Sequence, residues 1–170
     1  LLKMACRMDD PVIFMEPIRL YRSIKEPVED NGVPMSLDKC FVLRGGTDIT
    51  LVTWGATVIE VLKAVEVLEA EGISSEVIDV ASISCLDMET ILESIEKTGR
   101  CVIVHEAAQT CGFGAEIAAR LADEGLLSLQ APIKRVTGFD TAFPFCKLEK
   151  FYMPSVDRVL SACRVVLEYE

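Results

Sequence analysis

The stretch Cys101-Val-Ile-Val-His-Glu-Ala-Ala-Gln-Thr-Cys-Gly-Phe-Gly-Ala-Glu-Ile-Ala-Ala-Arg120 decides how this chain folds. Cys101 to Val104 is a short apolar run rich in β-branched residues, which reads as a buried strand. His105, Glu106, Gln109 and Thr110 then make a polar turn. Gly112 and Gly114 bracket Phe113 and open a helical pattern, in which Gly114, Ile117, Ala118 and Leu121 share one face. Gly125 stops it. Strand, polar turn and glycine-opened helix make half of a βαβ unit. Ligands and partners of open α/β sheets gather at the carboxyl ends of the strands. The chain's single histidine falls there.

Outward from this stretch the same alternation repeats. Lys39 to Arg44 reads as a strand, Gly45-Gly46 as a turn and Ile49 to Trp54 as the next strand. Gly55 opens a helix that runs to about Glu71, where Gly72 stops it. Glu60, Lys63, Glu66 and Glu69 mark its wet face. Glu76 to Val80 is a third strand. Ser84 is expected to cap the next helix, with Asp87 as its capping-box-like partner. Met88, Ile91, Leu92 and Ile95 form that helix's buried stripe, and Gly99 ends it. Ile133 to Val136 supplies the fifth strand. Ser155 caps a last helix with Val156, Val159, Leu160, Cys163 and Leu167 on one face. Strands alternating with helices of this length predict a mainly parallel sheet covered on both faces. The short turn from Arg44 to Ile49 allows a hairpin, so the first strand is expected to run antiparallel.

Residues 1–34 read differently. Pro11 to Met15 is a lone apolar strand, and Lys25 to Pro34 has linker chemistry: charges, Asn-Gly and prolines. The expectation is the tail of an upstream domain plus a linker, with the boundary near Met35 and one domain over 35–170.

Half the residues are apolar, enough for a full core. A net charge of −10 argues against free binding to nucleic acid or to anionic membrane. The seven cysteines are odd in number and lack CxxC spacing, which fits free thiols in a reducing compartment and no zinc site. No apolar run reaches the ~18 residues of a membrane span, and the start carries no signal-peptide pattern.

The motifs that could carry chemistry are incomplete. Gly112-Phe-Gly114-Ala-Glu-Ile117 begins a dinucleotide fingerprint and fails at its third glycine. These glycines are expected to let the helix N-terminus approach another backbone closely. His105 and Glu106 could form an acid/base pair, but neighbours on a strand point to opposite faces. A strand-end histidine, hydrogen-bonded in a subunit interface, is the preferred reading. Cys111 at a helix start could be an activated thiol, yet no second histidine exists to serve as its base. Asp140-Thr141 is weak as a catalytic pair. The loop that holds it is better read as anchored on a partner by Phe143 and Phe145. Trp54 is expected in the core.

Several segments in order resemble one family. They are Pro11-Val-Ile-Phe-Met-Glu-Pro, Leu20-Tyr-Arg22, Gly46-Thr-Asp-Ile-Thr-Leu-Val-Thr-Trp-Gly55, Glu76-Val-Ile-Asp-Val80, Leu86-Asp-Met-Glu-Thr-Ile91 and Lys97-Thr-Gly-Arg100. Val104-His-Glu-Ala107, Gly112-Phe-Gly-Ala-Glu-Ile117, Ala131-Pro-Ile133 and Gly138-Phe-Asp-Thr141 with Phe143-Pro144 complete them. Together they resemble the C-terminal half of the beta subunit of the decarboxylating component of 2-oxoacid dehydrogenase complexes. The resemblance implies a transketolase C-terminal-like domain, a three-layer α/β/α sandwich on a five-stranded, mostly parallel sheet. It implies an alpha2-beta2 heterotetramer using thiamine diphosphate and magnesium, which passes an acyl group to lipoyl-lysine. The family's activating glutamate lies in the preceding domain and its diphosphate-magnesium motif on the alpha chain. The resemblance therefore implies no catalytic, cofactor or metal residue in this chain.

What it implies instead is assembly. His105, Gly112, Phe113, Gly114 and Ala118 are expected at the interface with a second beta subunit. Gln130 and Glu170 are expected where the peripheral subunit-binding domain of the dihydrolipoyl acyltransferase docks. Family members often have an acidic residue at the position of Gln130, proline at Cys85 and Ala142, and glycine at Cys111. The motifs around His105, Gly112 and Gly138 are most similar to branched-chain members, with pyruvate members as the alternative. A stand-alone binding module and a transketolase-type C-terminal domain are the other readings. The expected location is the cytoplasm of a bacterium or archaeon, or the mitochondrial matrix.

Overall fold

The computed structural model describes residues 1–25, 27 and 35–169. The sheet has five strands: β1 (Phe41–Arg44), β2 (Ile49–Thr53), β3 (Ser75–Asp79), β4 (Cys101–Val104) and β5 (Lys134–Val136). Their spatial order is β1-β3-β2-β4-β5. All neighbours run parallel except β1, which lies antiparallel on β3. The central strands β2 and β4 are buried along their whole length, and so are four of the five residues of β3. That is why β4 reads as a continuous apolar run and none of the three alternates apolar with polar residues.

Helices α2 (Thr57–Ala70) and α6 (Val156–Leu167) cover one face. Val61, Ala64, Val65 and Leu68 of α2 meet Val159, Leu160, Cys163 and Val166 of α6 over Leu51, Val77 and Val102. Helices α3 (Met88–Thr98) and α4 (Phe113–Glu124) cover the other. There Ile91 and Ile95 meet Ile117 and Leu121 over Val52, Ile78 and Ile103. Each such fully buried aliphatic side chain contributes about 1.5–3 kcal/mol from burial. The result is the expected three-layer α/β/α sandwich. Two short helices, α1 (Leu2–Ala5) and α5 (Glu149–Tyr152), lie outside these layers.

Three local expectations are corrected. The first strand is antiparallel, but its partner is β3 and not β2. Both edges of β2 are taken by parallel neighbours, and the turn is held over the start of β3. There the Thr47 and Asp48 amides donate to the Ser74 carbonyl, and the Gly46 amide donates to the buried Glu76 carboxylate. Pro11–Met15 forms no strand; Ile13 and Met15 are exposed and no sheet edge meets them. Helix α3 is capped by Asp87 itself, which accepts from the Thr90 amide and hydroxyl, and not by Ser84. Asp87 also accepts from the Cys40 amide, so one carboxylate ties the helix start to the chain entering β1. Ser155 caps α6 as expected, accepting from the Arg158 amide. The linker residues Glu26 and 28–34 lie outside the described residues, as does Glu170.

Candidate functional site

Strand β2 feeds α2 on one face of the sheet, whereas its neighbour β4 feeds α4 on the other. The connections leave the two strand ends in opposite directions. In open α/β sheets that divergence makes the crevice where ligands bind. Trp54 follows β2 and His105 follows β4, so both fall at this point.

The crevice is filled by the chain's own rings. Trp54 and His105 stack with centroids 5.1 Å apart and planes 15° apart. Phe113 meets Trp54 edge-on at 5.9 Å. His105 is completely buried, and neither ring nitrogen has a hydrogen-bond partner among the described residues. Burial pushes its pKa down to about 4; the Arg135 charge acts in the same direction and the Ala107 carbonyl against it. The imidazole is therefore neutral at physiological pH.

Gly112 and Gly114 make room for this ring. A Cβ on Gly114 would lie 2.5 Å from both Cδ2 and Nε2 of His105. One on Gly112 would lie 2.8 Å from Cε1 and 2.3 Å from the Ala108 carbonyl oxygen. The two glycines thus serve an internal fit, and the close approach expected of them is made to an imidazole as well as to backbone. Sequence reasoning placed Trp54 in the core but missed its pairing with His105. The available signal was the Gly-Phe-Gly after a strand-end histidine: two missing Cβ atoms flanking an aromatic.

The loops around the crevice are laced together. Asp140 accepts from the Thr110 amide at 2.8 Å and from its hydroxyl at 2.7 Å, which holds the carboxylate below its usual pKa. Arg135 donates to the Gln109 carbonyl at 2.8 Å. Asp140 is thus engaged with Thr110 across the loops, and not with Thr141 as a pair. Cys111 is exposed and its φ is +58°, a left-handed conformation that favours glycine. That accounts for glycine being common here in the family it resembles. Glu106 is half-buried, and burial raises its pKa. It is the neighbour of His105, yet His105 is sealed and Glu106 lines an open cleft of about 450 Å³ with Arg19, Glu60, Phe143 and Met153. The two do not share a reaction site. Phe143 and Phe145 are exposed in the 137–148 loop between β5 and α5.

The expected interface and docking residues are placed as follows. His105, Gly112 and Gly114 are buried within the chain, whereas Phe113 and Ala118 are half-buried. Only the latter two can present atoms to a second subunit directly. Gln130 lies at the opposite edge of the sheet, beside Gly99, and its Oε1 accepts from Arg100 Nη1 at 2.9 Å. An amide here accepts one bond from the guanidinium without neutralising it, and the buried Arg100 Nε has no partner among the described residues.

A diphosphate with magnesium does not fit these residues. The switch-point crevice is closed by Trp54 and His105, and no cluster of three His, Cys, Asp or Glu among the described residues could hold a metal ion. No helix among them is long and apolar enough to cross a membrane.

Comparisons with known proteins place this geometry. The family described as "Transketolase, C-terminal domain" matches residues 38–159. The pyruvate dehydrogenase E1 component subunit beta of Bacillus subtilis (strain 168) is 44% identical over 169 residues, covering 99% of this chain and 52% of that protein. Its namesake in Staphylococcus epidermidis is 41% identical over the same shares. The chain thus spans about half the length of these relatives. A split gene transketolase, solved as an inactive beta4 tetramer, superposes with a TM-score of 0.71 at 30% identity, over 85% of this chain and 46% of that one. A 2-oxoglutarate:ferredoxin oxidoreductase shares the fold at a TM-score of 0.51 and 12% identity.

Proposed function

This chain belongs to the transketolase C-terminal domain family, and from that premise we propose that it is the C-terminal half of the beta subunit of a thiamine-diphosphate-dependent 2-oxoacid dehydrogenase. The observation that carries the reading is identity of 44% running over 99% of the chain to a pyruvate dehydrogenase beta subunit. Pyruvate is accordingly the substrate we propose for the intact enzyme. The branched-chain assignment rested on motifs around His105 and Gly138. Those residues fill a buried crevice and lace loops together, so they report kinship in packing and not the shape of a substrate pocket.

In this role the domain assembles and does not react. Its own rings occupy the crevice at the switch point, so the cofactor and its magnesium would sit on other parts of the enzyme. Partners would be an alpha subunit, a second beta subunit and the subunit-binding domain of the acyltransferase, in a bacterial cytoplasm. Pairing of beta subunits would use the α4 face, where Ala118 and Ala119 remain accessible while Gly112 and Gly114 do not. The boundary near Met35 separates this domain from an upstream one. A transketolase-type domain is the second reading, favoured by the superposition at 30% identity, which is lower than the 44% to the dehydrogenase subunit.

The test is reconstitution. The full-length beta subunit, produced with its alpha chain, should form a heterotetramer that decarboxylates pyruvate with an artificial electron acceptor. Its kcat/KM should be higher for pyruvate than for 2-oxoisovalerate. Selectivity for the larger acid would restore the branched-chain reading. Ketol transfer between sugar phosphates would point to the transketolase reading.

A further inference from the structure

We propose that residues 16–20 form a strap docked across the carboxyl edge of the sheet, with Arg19 as its latch between carboxylates of two different elements, Glu60 and Glu106. The inference does not depend on the catalytic identity of the intact enzyme.

Three observations carry it. First, Arg19 Nη2 lies 3.0 Å from Glu60 Oε1 and donates to it. Glu60 sits in the first turn of α2, where the helix's positive end already favours a carboxylate. Its side chain is 16% exposed, so the guanidinium covers a largely desolvated partner and not a free surface carboxylate. Second, Arg19 and Glu106 line the same cleft, and the Arg19 charge favours the ionised form of Glu106 against the desolvation it suffers. Glu106 stands just past β4, and Glu60 belongs to the helix that follows β2. One side chain therefore bonds to the helix that follows β2 and shares a cleft with the carboxylate that follows β4. Third, the backbone of the strap is shaped to lie there. Pro17 is extended, and its Cγ is 3.7 Å from where a Cβ on Gly55 would stand. A single 3-10 turn, Ile18–Leu20, follows and presents Arg19 to the cleft, while Ile18 remains exposed.

The strap has little else to hold it. Among its described residues it pairs with no strand. Its turn is closed by the Leu20 amide on the Pro17 carbonyl and the Tyr21 amide on the Ile18 carbonyl, and its other bonds are local: the Tyr21 hydroxyl donates to Glu16, and the Ser23 amide and hydroxyl donate to the Leu20 carbonyl. An isolated turn of this kind is not stable alone. These local bonds shape the turn without fixing it to the domain, and its docking is supplied by the Arg19 contact and the Pro17 seat. Whatever precedes residue 16 then leaves the domain at a fixed place on the carboxyl edge.

Amide hydrogen exchange on the full chain tests this, read at Leu20, Tyr21 and Ser23 with core amides of β2 and β4 as the internal reference. Arg19→Ala should speed exchange of the three strap amides about fivefold at low salt, leaving the core amides unchanged. Arg19→Lys should restore part of the protection. Glu60→Gln combined with Glu106→Gln should reproduce the loss, and adding Arg19→Ala to that pair should cause no further change. Strap protection that is indifferent to Arg19→Ala would overturn the proposal. So would full additivity of Arg19→Ala with the paired glutamine variant, since the latch would then act on something else.

Discussion

Trp54 and His105 stack ring on ring at the ends of adjacent parallel strands, 5.1 Å between centroids and 15° between planes. The pair converts the place where this architecture usually opens into the place where it is closed. Gly112 and Gly114 permit it from one side, and Phe113 between them braces Trp54.

Gly114→Ala should destabilise the domain. Alanine is the better helix former by up to about 1 kcal/mol. Its Cβ, however, would lie 2.5 Å from Nε2 of the fully buried His105, whose ring is stacked on Trp54. Overpacking of this kind costs about 1–3 kcal/mol, so the net loss in urea unfolding should be about 1–2 kcal/mol. In a His105→Ala background the same substitution should be neutral or stabilising. A loss that is equal in both backgrounds would mean that the glycine serves something other than the imidazole.

The buried imidazole should make stability fall on the acid side of neutrality. Unfolded, His105 titrates near 6.5; folded, its pKa is about 4. Between those values the unfolded chain binds the extra proton. Stability is therefore complete above pH 6.5 and declines as pH falls toward 4, by up to about 1.4 kcal/mol per pH unit. Glu106 and Asp79, whose pKa values are raised by burial, act in the opposite direction over their own range. His105→Gln should remove the histidine slope and leave theirs. Unfolding curves from pH 4 to 8 that have the same slope in both proteins would contradict the burial of a neutral ring.

Much of this architecture is legible from residues alone, and the failures have physical causes. Helices α2, α3, α4 and α6 follow from apolar periodicity together with Gly72, Gly99, Gly125 and Ser155 as punctuation. The capping of α3 was misread because Asp87 could serve either as cap or as capping-box partner. Only the tertiary bond from the Cys40 amide shows why it is the cap. The partner of β1 was not readable, because a short turn permits a hairpin but the sheet's edges decide it. Pro11–Met15 has strand composition without an edge to join. At the crevice, each of Trp54, His105, Gly112 and Gly114 was visible, yet their relation is a contact across 51 positions between residues 54 and 105. No periodicity encodes that.

Cys111→Gly should be neutral or stabilising by up to about 1 kcal/mol. The residue is exposed at φ +58°, where a side chain costs about 1–2 kcal/mol relative to glycine. Part of that gain is offset by the greater freedom of an unfolded glycine. Cys111→Val should be clearly destabilising, since β-branched residues tolerate this conformation worst. Thermal unfolding of the three proteins would check the order; a Val variant as stable as the Gly variant would be the contrary result.

Asp140 and Thr110 should behave as one unit. Asp140→Ala and Thr110→Val each remove a bond across the two loops, so the double variant should be no more perturbed than the worse single one. The carboxylate is held below its usual pKa by these bonds. Its contribution is therefore present above the ordinary carboxylate range and lost as pH falls through the folded value. Exchange of the Thr110 amide is the readout, and additive acceleration in the double variant would show that the bonds are independent.

The central claim is that this chain assembles an enzyme without holding its cofactor. Titration calorimetry of the 170-residue chain with thiamine diphosphate and magnesium tests it most directly. The account predicts no heat beyond dilution for the chain, and saturable binding once the full-length beta subunit is assembled with its alpha chain. Micromolar binding of the cofactor to the isolated chain would contradict it.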